Sequence, residues 1–405
     1  YKGQLGIYNI ALGTAQGYLP RYSYILGKKW QSTKSNVTVY GNNFMNKLGV
    51  IDFEGFDKCY YEKISKAKNW LDDVRTEGHK WRLLPKPTRK ELYPNMKNEK
   101  DEPWRPLKSS LSKKINDITS VWMCGVKRRK IAHKKGIFSW TDKRCTSKNM
   151  NFKSGKTSEI VDSILRINRC VTKELDLGIL MKDNSWKKSP EDTIEYYLDY
   201  ETMNSNIGSC YINNQKANYL DNNFIFMMGL GWEENSEWKF KVFVAKQNNN
   251  LSEREMVTNF WKFVDSNNKR LKKNNNRFYH WTSAEPNCYK KLLDRHSIYL
   301  PRKNFYDLYK LFKLNKVVVN GALNYSLKNI AKGMYNNKLI DTYWDNKNPC
   351  SNGLTAMFLA YQLYQESNEL DLEEPNIKNI IKYNEIDCKV LWEILRYLRT
   401  RLNQN

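Results

Sequence analysis

E-Y-Y-L-D-Y-E-T-M-N-S, running from Glu195 to Ser205, follows an apolar, β-rich lead-in (Ile194, Tyr196, Tyr197, Leu198) with two carboxylates two residues apart, Asp199 and Glu201. Side chains alternate along a strand, so both acids point to one face. Like charges side by side repel, and a divalent cation is the usual counterweight. Completing such a site takes further carboxylates from elsewhere in the chain.

The 405 residues, 40% of them hydrophobic, are enough for two or three domains with real cores. With 68 Lys+Arg against 43 Asp+Glu the formal charge is +25, spread through the whole length. That balance points to a polyanionic partner, with nucleic acid ahead of a membrane surface. Biased codon usage, as in a large DNA virus or an AT-rich microbe, accounts for many Lys and Asn but not for the shortage of acids. The eight cysteines include no C-x-x-C pair. This argues against zinc or a disulfide framework and for reduced thiols inside a cell, in cytoplasm or nucleus. No run approaches 18 apolar residues and no signal peptide opens the chain, so no membrane partner is expected. The first residue is Tyr rather than Met, which suits a sequence beginning part-way through a longer protein.

In chain order, Leu5, Tyr8 and Leu12 stand at helical spacing before Gly13, and Tyr22 to Leu26 reads as a strand. Phe44 to Trp81 reads as helical, with a stripe of Tyr60, Ile64, Ala67 and Leu71. Five prolines between Leu84 and Pro106 mark a boundary. Ile118 to Asp142 offers two short helices around Gly125, with Gly136 closing the second. There Lys127, Arg128, Arg129 and Lys130 are candidate phosphate contacts, although the pattern equally fits a solvated basic turn. His79, His133 and His296 have no second ligand at metal spacing and read as surface or core residues.

From Thr193 the pattern turns to strands: Ile194–Tyr200, Phe224–Trp232 and Trp238–Ala245, an antiparallel run. A helix over Leu251–Val264 follows, capped by Ser252, and then a fourth strand, Arg277–Trp281. That strand leads into a helix starting near Ala284, with Glu285 in its first turn, where α/β sheets gather functional side chains. Asp307 and Ser326 stand at further helix starts, and Gly353–Tyr364 is amphipathic. The closing helix buries Ile386, Val390, Leu391, Ile394 and Leu398, and places Tyr383 and Asp387 one turn apart beside that stripe.

D-x-E on a strand, an acid at a later helix start and Y-x-x-x-D on a late helix resemble the DEDDy subgroup of RNase H-like 3′-to-5′ exonucleases. F-Y-H-W-T-S-A-E, N-Y-S-L-K-N-I and Y-N-E-I-D are most similar to the YprB-type RNase H-like domain, over roughly Ser189 to Arg401. Gln4 and Tyr8 resemble the Q-x-x-x-Y motif of RecB-like PD-(D/E)XK nucleases, whose metal ligands would precede residue 1. G-V-K-R-R-K-I-A-H-K-K-G-I looks like a helix-hairpin-helix element.

These resemblances imply an α/β fold: an RNase H-like mixed sheet flanked by helices over 186–405, a mainly helical basic region over 46–185, and the tail of a PD-(D/E)XK domain over 1–45. They imply a 3′-to-5′ exonuclease working on DNA in repair, recombination or replication, DNA being preferred to RNA because of the RecB-like company. Phosphodiester hydrolysis needs a water in line with the leaving oxygen and neutralised charge on both oxygens, which two Mg²⁺ or Mn²⁺ ions about 3.5–4 Å apart provide. By the resemblance Asp199 bridges both ions, Glu201 and Asp387 complete the coordination, and Glu285 takes the third acidic position, where many relatives have Asp. Tyr383 orients or helps deprotonate the attacking water. Asp307 competes with Glu285 but reads better as a helix cap. Tyr200, Trp281 and Tyr289 are aromatics near the site that could stack on unpaired bases. The alternative is a non-catalytic nucleic-acid-binding or scaffolding protein on the same fold.

Overall fold

The computed structural model describes residues 1–27, 30–34, 37–41, 47–98, 101, 103–182, 184, 186–203, 224–297, 304–345, 348–350, 352–367 and 369–402. Its chain forms two compact units, Tyr1–Tyr93 and Pro94–Asn405, so the break falls inside the proline-rich stretch.

In the first unit, helix α1 (Lys2–Gln16) precedes strands β1 (Tyr22–Ile25), β2 (Trp30–Lys34), β3 (Val37–Gly41) and β4 (Gly49–Asp52), and helix α2 (Cys59–Glu77). The inward face of α1 is Gly6, Asn9 and Gly13, not the expected Leu5, Tyr8 and Leu12 stripe. Small residues let the helix approach closely: a Cβ on Gly6 would meet Ile64 and Phe53, and Asn9 donates to the Tyr61 hydroxyl at 2.8 Å. Gln4 donates to the Tyr8 hydroxyl at 2.8 Å on the exposed side. The helix expected from Phe44 begins only at Cys59, because Gly49–Asp52 pairs antiparallel with Tyr22–Ile25. Phe44 itself lies outside the described residues.

The second unit opens with α3 (Arg105–Ile115), a 3₁₀ turn at Ile118–Ser120, α4 (Val126–Lys134), α5 (Lys156–Asn168) and β5 (Leu175–Asp176). Gly136, at φ +72°, closes α4 as expected, but the first partner of the anticipated helical pair is only that 3₁₀ turn. The sheet follows: β6 (Thr193–Met203), β7 (Phe224–Glu234), β8 (Glu237–Val244), β9 (Asn275–His280) and β10 (Phe305–Asp307), in the order β10-β9-β6-β7-β8. β6, β7 and β8 pair antiparallel, whereas β9 and β10 run parallel to β6. Every residue of β7 from Phe224 to Trp232 is buried, as a strand covered on both faces must be. The remaining elements are α6 (Asn250–Arg270), α7 (Ala284–His296), α8 (Leu308–Leu314), β11 (Val318–Val319), α9 (Leu327–Asn336), α10 (Gly353–Glu366) and α11 (Pro375–Leu402).

Packing is continuous across residue 185. β5 pairs with β11, Trp122 N–H donates to Leu323 O at 2.8 Å, and one apolar core runs from Ile118 to Leu398. Asp307 and Ser326 cap α8 and α9 as expected, each accepting a backbone N–H of the first turn. α6 differs. Its cap is Asn249, which accepts from Ser252 N–H, while the Ser252 hydroxyl accepts from Gln247 N–H. The helix cap thus falls three residues ahead of the expected one, Ser252, because the Asn249 amide oxygen takes the first-turn N–H.

Candidate metal centre

β6 and β9 run parallel with Tyr197 opposite Tyr279, so Asp199, still within β6, and Trp281, just past the end of β9, lie toward the same end of the sheet. Asp199 and Glu201 share one face of β6, and the β6–β7 register slips just after Glu201. α11 crosses this face and supplies Tyr383, Asn384 and Asp387. One carboxylate oxygen from each of Asp199, Glu201 and Asp387 lies within 4.8 Å of the others. Asp199 is half-buried, the other two buried.

The close approach of α11 depends on a glycine. Asp199 stands opposite Gly229 in the β6–β7 ladder, and a Cβ on Gly229 would lie 1.8 Å from Asn384 Oδ1. With that space free, Asn384 Nδ2 donates to Asp199 Oδ2 at 2.8 Å and to its backbone oxygen at 3.2 Å, fixing the carboxylate's orientation. Gly353, at the start of α10, sits on the other side, its Cβ position 3.8 Å from Glu201 Oε2.

The charges are poorly balanced. Burial, then Asp387, Glu201 and Glu285, hold the Asp199 carboxyl well above the carboxylate range. Burial and Asp387 push Glu201 up to about 8, and burial pushes Asp387 up to about 7 despite the opposing Lys328. Asp387 Oδ2 is buried without a hydrogen-bond partner among the described residues. Lys328, at the start of α9, stands in the same field, its Nζ 4.6 Å from the Tyr383 ring centroid and 5.4 Å from that of Trp344. Burial lowers its pKa, with Asp387 pulling the other way.

Glu285 stands beside this trio rather than in it. It is buried in the first turn of α7, with Oε2 3.4 Å from His280 Nδ1, yet close enough to act on Asp199. The Tyr383 phenol is driven upward, first by burial and then by Asp387, Glu201 and Asp199, so it stays neutral. Of the four basic residues on α4, Arg129 is buried, paired with Asp117 at 3.0 Å and donating to Pro94 O. Arg128 donates to Met150 O at 3.0 Å and to Asn151 O, with its guanidinium over Phe152. Lys127 and Lys130 are the exposed pair.

Three carboxylates converging with surplus negative charge fit a hard divalent cation. The thiol nearby argues the same way, since burial and Glu201 push Cys350 up to about 12, out of thiolate range. Residues 217–399 match the family model of the RNase H superfamily. The match spans just under half of the chain. It includes Glu285, Tyr383 and Asp387, while Asp199 and Glu201 precede it. No curated protein and no solved structure matches the chain. The mixed sheet with its flanking helices is the architecture that family implies. Its members are commonly nucleases, usually with divalent metals, and bind nucleic acid.

Four residues of the site carried no role in the sequence. Asn384 is three residues from Asp387, hence on its helix face, which is a signal the spacing contains. Lys328 and His280 lie within N-Y-S-L-K-N-I and F-Y-H-W-T-S-A-E, but a basic residue near carboxylates is not readable from spacing. Gly229 is visible only through the β6–β7 register.

Proposed function

We propose that this protein is a metal-dependent 3′-to-5′ exonuclease that hydrolyses phosphodiester bonds of DNA. The observation that carries it is the convergence of Asp199, Glu201 and Asp387 from one strand and a helix far along the chain. Polarity and the preference for DNA follow from the DEDDy and RecB-like resemblances alone.

Asp199, Glu201 and Asp387 would hold Mg²⁺ or Mn²⁺, with Glu285 beside them as the fourth carboxylate for a second ion. Bound there, the metal supplies Lewis-acid polarisation of the phosphoryl oxygens and a more acidic water. Asn384 keeps the Asp199 carboxylate turned toward that centre. Neutral Tyr383 suits orienting the attacking water by donating a hydrogen bond, rather than removing its proton. Lys328 places a positive charge beside the carboxylates, where it would offset negative charge growing on a bound phosphate.

The test is a 5′-labelled single strand incubated with Mg²⁺ or Mn²⁺. A ladder shortening from the 3′ end, absent in Asp199→Ala and Asp387→Ala, is expected. Binding without cleavage in the wild type would favour the scaffolding alternative. Cleavage surviving both substitutions would remove the site assignment.

A further inference from the structure

The same end of the sheet carries a second feature. Where β9 and β10 finish, a cavity of about 340 Å³ opens between Thr282 and Ser283 on one side and the first turns of α8 on the other. That is within the roughly 300–1,000 Å³ of ordinary ligand sites. Ser283 is two residues before Glu285, and because β6, β9 and β10 run parallel the cavity opens at the same end of the sheet as the acidic centre.

Its lining is largely apolar, with Leu314 at one side, and carries cationic and aromatic side chains. Lys310 and Lys313, one turn apart on α8, both border it, as does Tyr309. Lys313 Nζ stands 5.6 Å from the Tyr309 ring centroid and 5.9 Å from that of Trp122, on the segment that packs against this end of the sheet. The one carboxylate in the lining, Asp307, is engaged by backbone donors: Thr282 N–H at 3.1 Å and Lys310 N–H at 3.2 Å. Thr282 itself has φ +71°, a left-handed conformation that a β-branched residue rarely adopts. Its neighbour Trp281 is tied down by Nε1 donating to Tyr325 O at 2.9 Å. Strain of this kind persists where the surroundings over-determine it, as binding sites do.

We propose that this cavity receives a nucleotide of the single strand leading away from the scissile phosphate, with its phosphate on Lys310 and Lys313 and its base against Tyr309. Ammonium groups for the backbone beside an aromatic face for the base are the pairing by which single strands are held without sequence preference. The inference rests on the proposed function and extends it, because it names the path of the strand. It also predicts that length matters. A dinucleotide fills the acidic centre but gains little from the cavity, whereas a longer oligonucleotide gains the full contact.

The test is fluorescence anisotropy in EDTA, where no metal-dependent cleavage occurs, comparing a labelled single-stranded oligonucleotide with a labelled dinucleotide. Lys310→Gln/Lys313→Gln should weaken oligonucleotide binding about tenfold and lower the salt slope by about 0.7, for the one phosphate the two lysines share. The advantage of the oligonucleotide over the dinucleotide should shrink with it. Lys269→Gln/Lys272→Gln removes the same charge at the opposite end of the sheet, near the Asn274 N–H bond to Asp192 O. It should leave binding and cleavage near wild type. Equal losses in the two double variants would show bulk charge alone and overturn the proposal. An unchanged oligonucleotide advantage in Lys310→Gln/Lys313→Gln, or wild-type protein that binds no oligonucleotide, would overturn it too. Cleavage is scored separately, with Mn²⁺ and the 5′-labelled strand: wild-type binding that depends on Lys310 and Lys313 without any cleavage would sink the exonuclease assignment and leave the cavity standing.

Discussion

Gly229 shows how a single missing methyl group decides the site. Any larger residue must displace Asn384, whose Oδ1 occupies the place of its Cβ. Gly229→Ala is expected to cost about 1–3 kcal/mol in denaturant unfolding, as overpacking does, and to lower kcat at least tenfold because Asp199 loses its orienting amide. Wild-type kcat in that variant would show that Asn384 has no part in positioning. Asp387 makes the opposite case, a residue the apo protein would fold better without. Its carboxyl and that of Glu201 sit near 7 and 8 when folded, against ordinary values of 3.8 and 4.5. The folded state therefore binds more protons than the unfolded state across that interval, and its stability falls as pH rises through it. In EDTA, the melting temperature should drop between about pH 5 and 8, and Asp387→Asn should raise it at pH 8. A melting temperature lowered by Asp387→Asn would contradict the repulsion inferred here.

At the scale of elements, the centre depends on how α11 lies across β6. The two are pinned at the far end of the sheet, where Arg399 makes a two-pronged pair with Glu195 at 2.7 and 2.8 Å. Ser189 and the Tyr279 hydroxyl also donate to Glu195. Burial alone would raise the Glu195 carboxyl, but the Arg399 guanidinium outweighs it and holds it down at about 2. A folded value below the unfolded 4.5 contributes stability that is complete above pH 4.5 and is lost as pH falls toward 2. Glu195→Ala leaves the largely buried Arg399 without its carboxylate, though it still donates to Trp186 O and the Tyr279 hydroxyl; this should cost roughly 3 kcal/mol and flatten the acid limb of the stability curve. Denaturation midpoints at pH 7 and pH 3 check this: the deficit should be smaller at pH 3. An equal deficit at both would show that the pair's charge is not what matters.

For the molecule as a whole, the surplus of carboxylates would make a bound divalent cation a structural ligand as well as a chemical one. Mn²⁺ at 100 times its dissociation constant should add about 2.7 kcal/mol to the stability of the unit that binds it. A melting scan with Mn²⁺ and with EDTA reads this directly, and the gain should vanish in Asp387→Asn. Because Pro94–Asn405 has its own continuous core, a chain of those residues alone should fold and keep the metal-dependent shift. A fragment that melts without cooperativity would show that the first unit contributes to its stability.

What local chemistry dictates was legible in the chain. Period-two alternation placed Asp199 and Glu201 on one face, helical spacing paired Tyr383 with Asp387, and cap residues marked Asp307 and Ser326 as helix starts. Composition named a polyanionic partner, and the order of acidic motifs named an RNase H-like sheet. Helix α1 shows where the pattern misleads, since its apolar residues face out and its glycines face in. What only tertiary structure decided is distance. Glu285 was eligible by order alone, yet its carboxyl turns to His280 while three other acids meet. Arg129 looked like a phosphate contact until Asp117, buried twelve residues away, took it. Gly229, Asn384 and Lys328 matter because strand register and helix crossing bring them together, and those are set by how a whole core packs. Asp199 and Glu201 announced half of a centre; the contact of α11 with β6 supplied the other half.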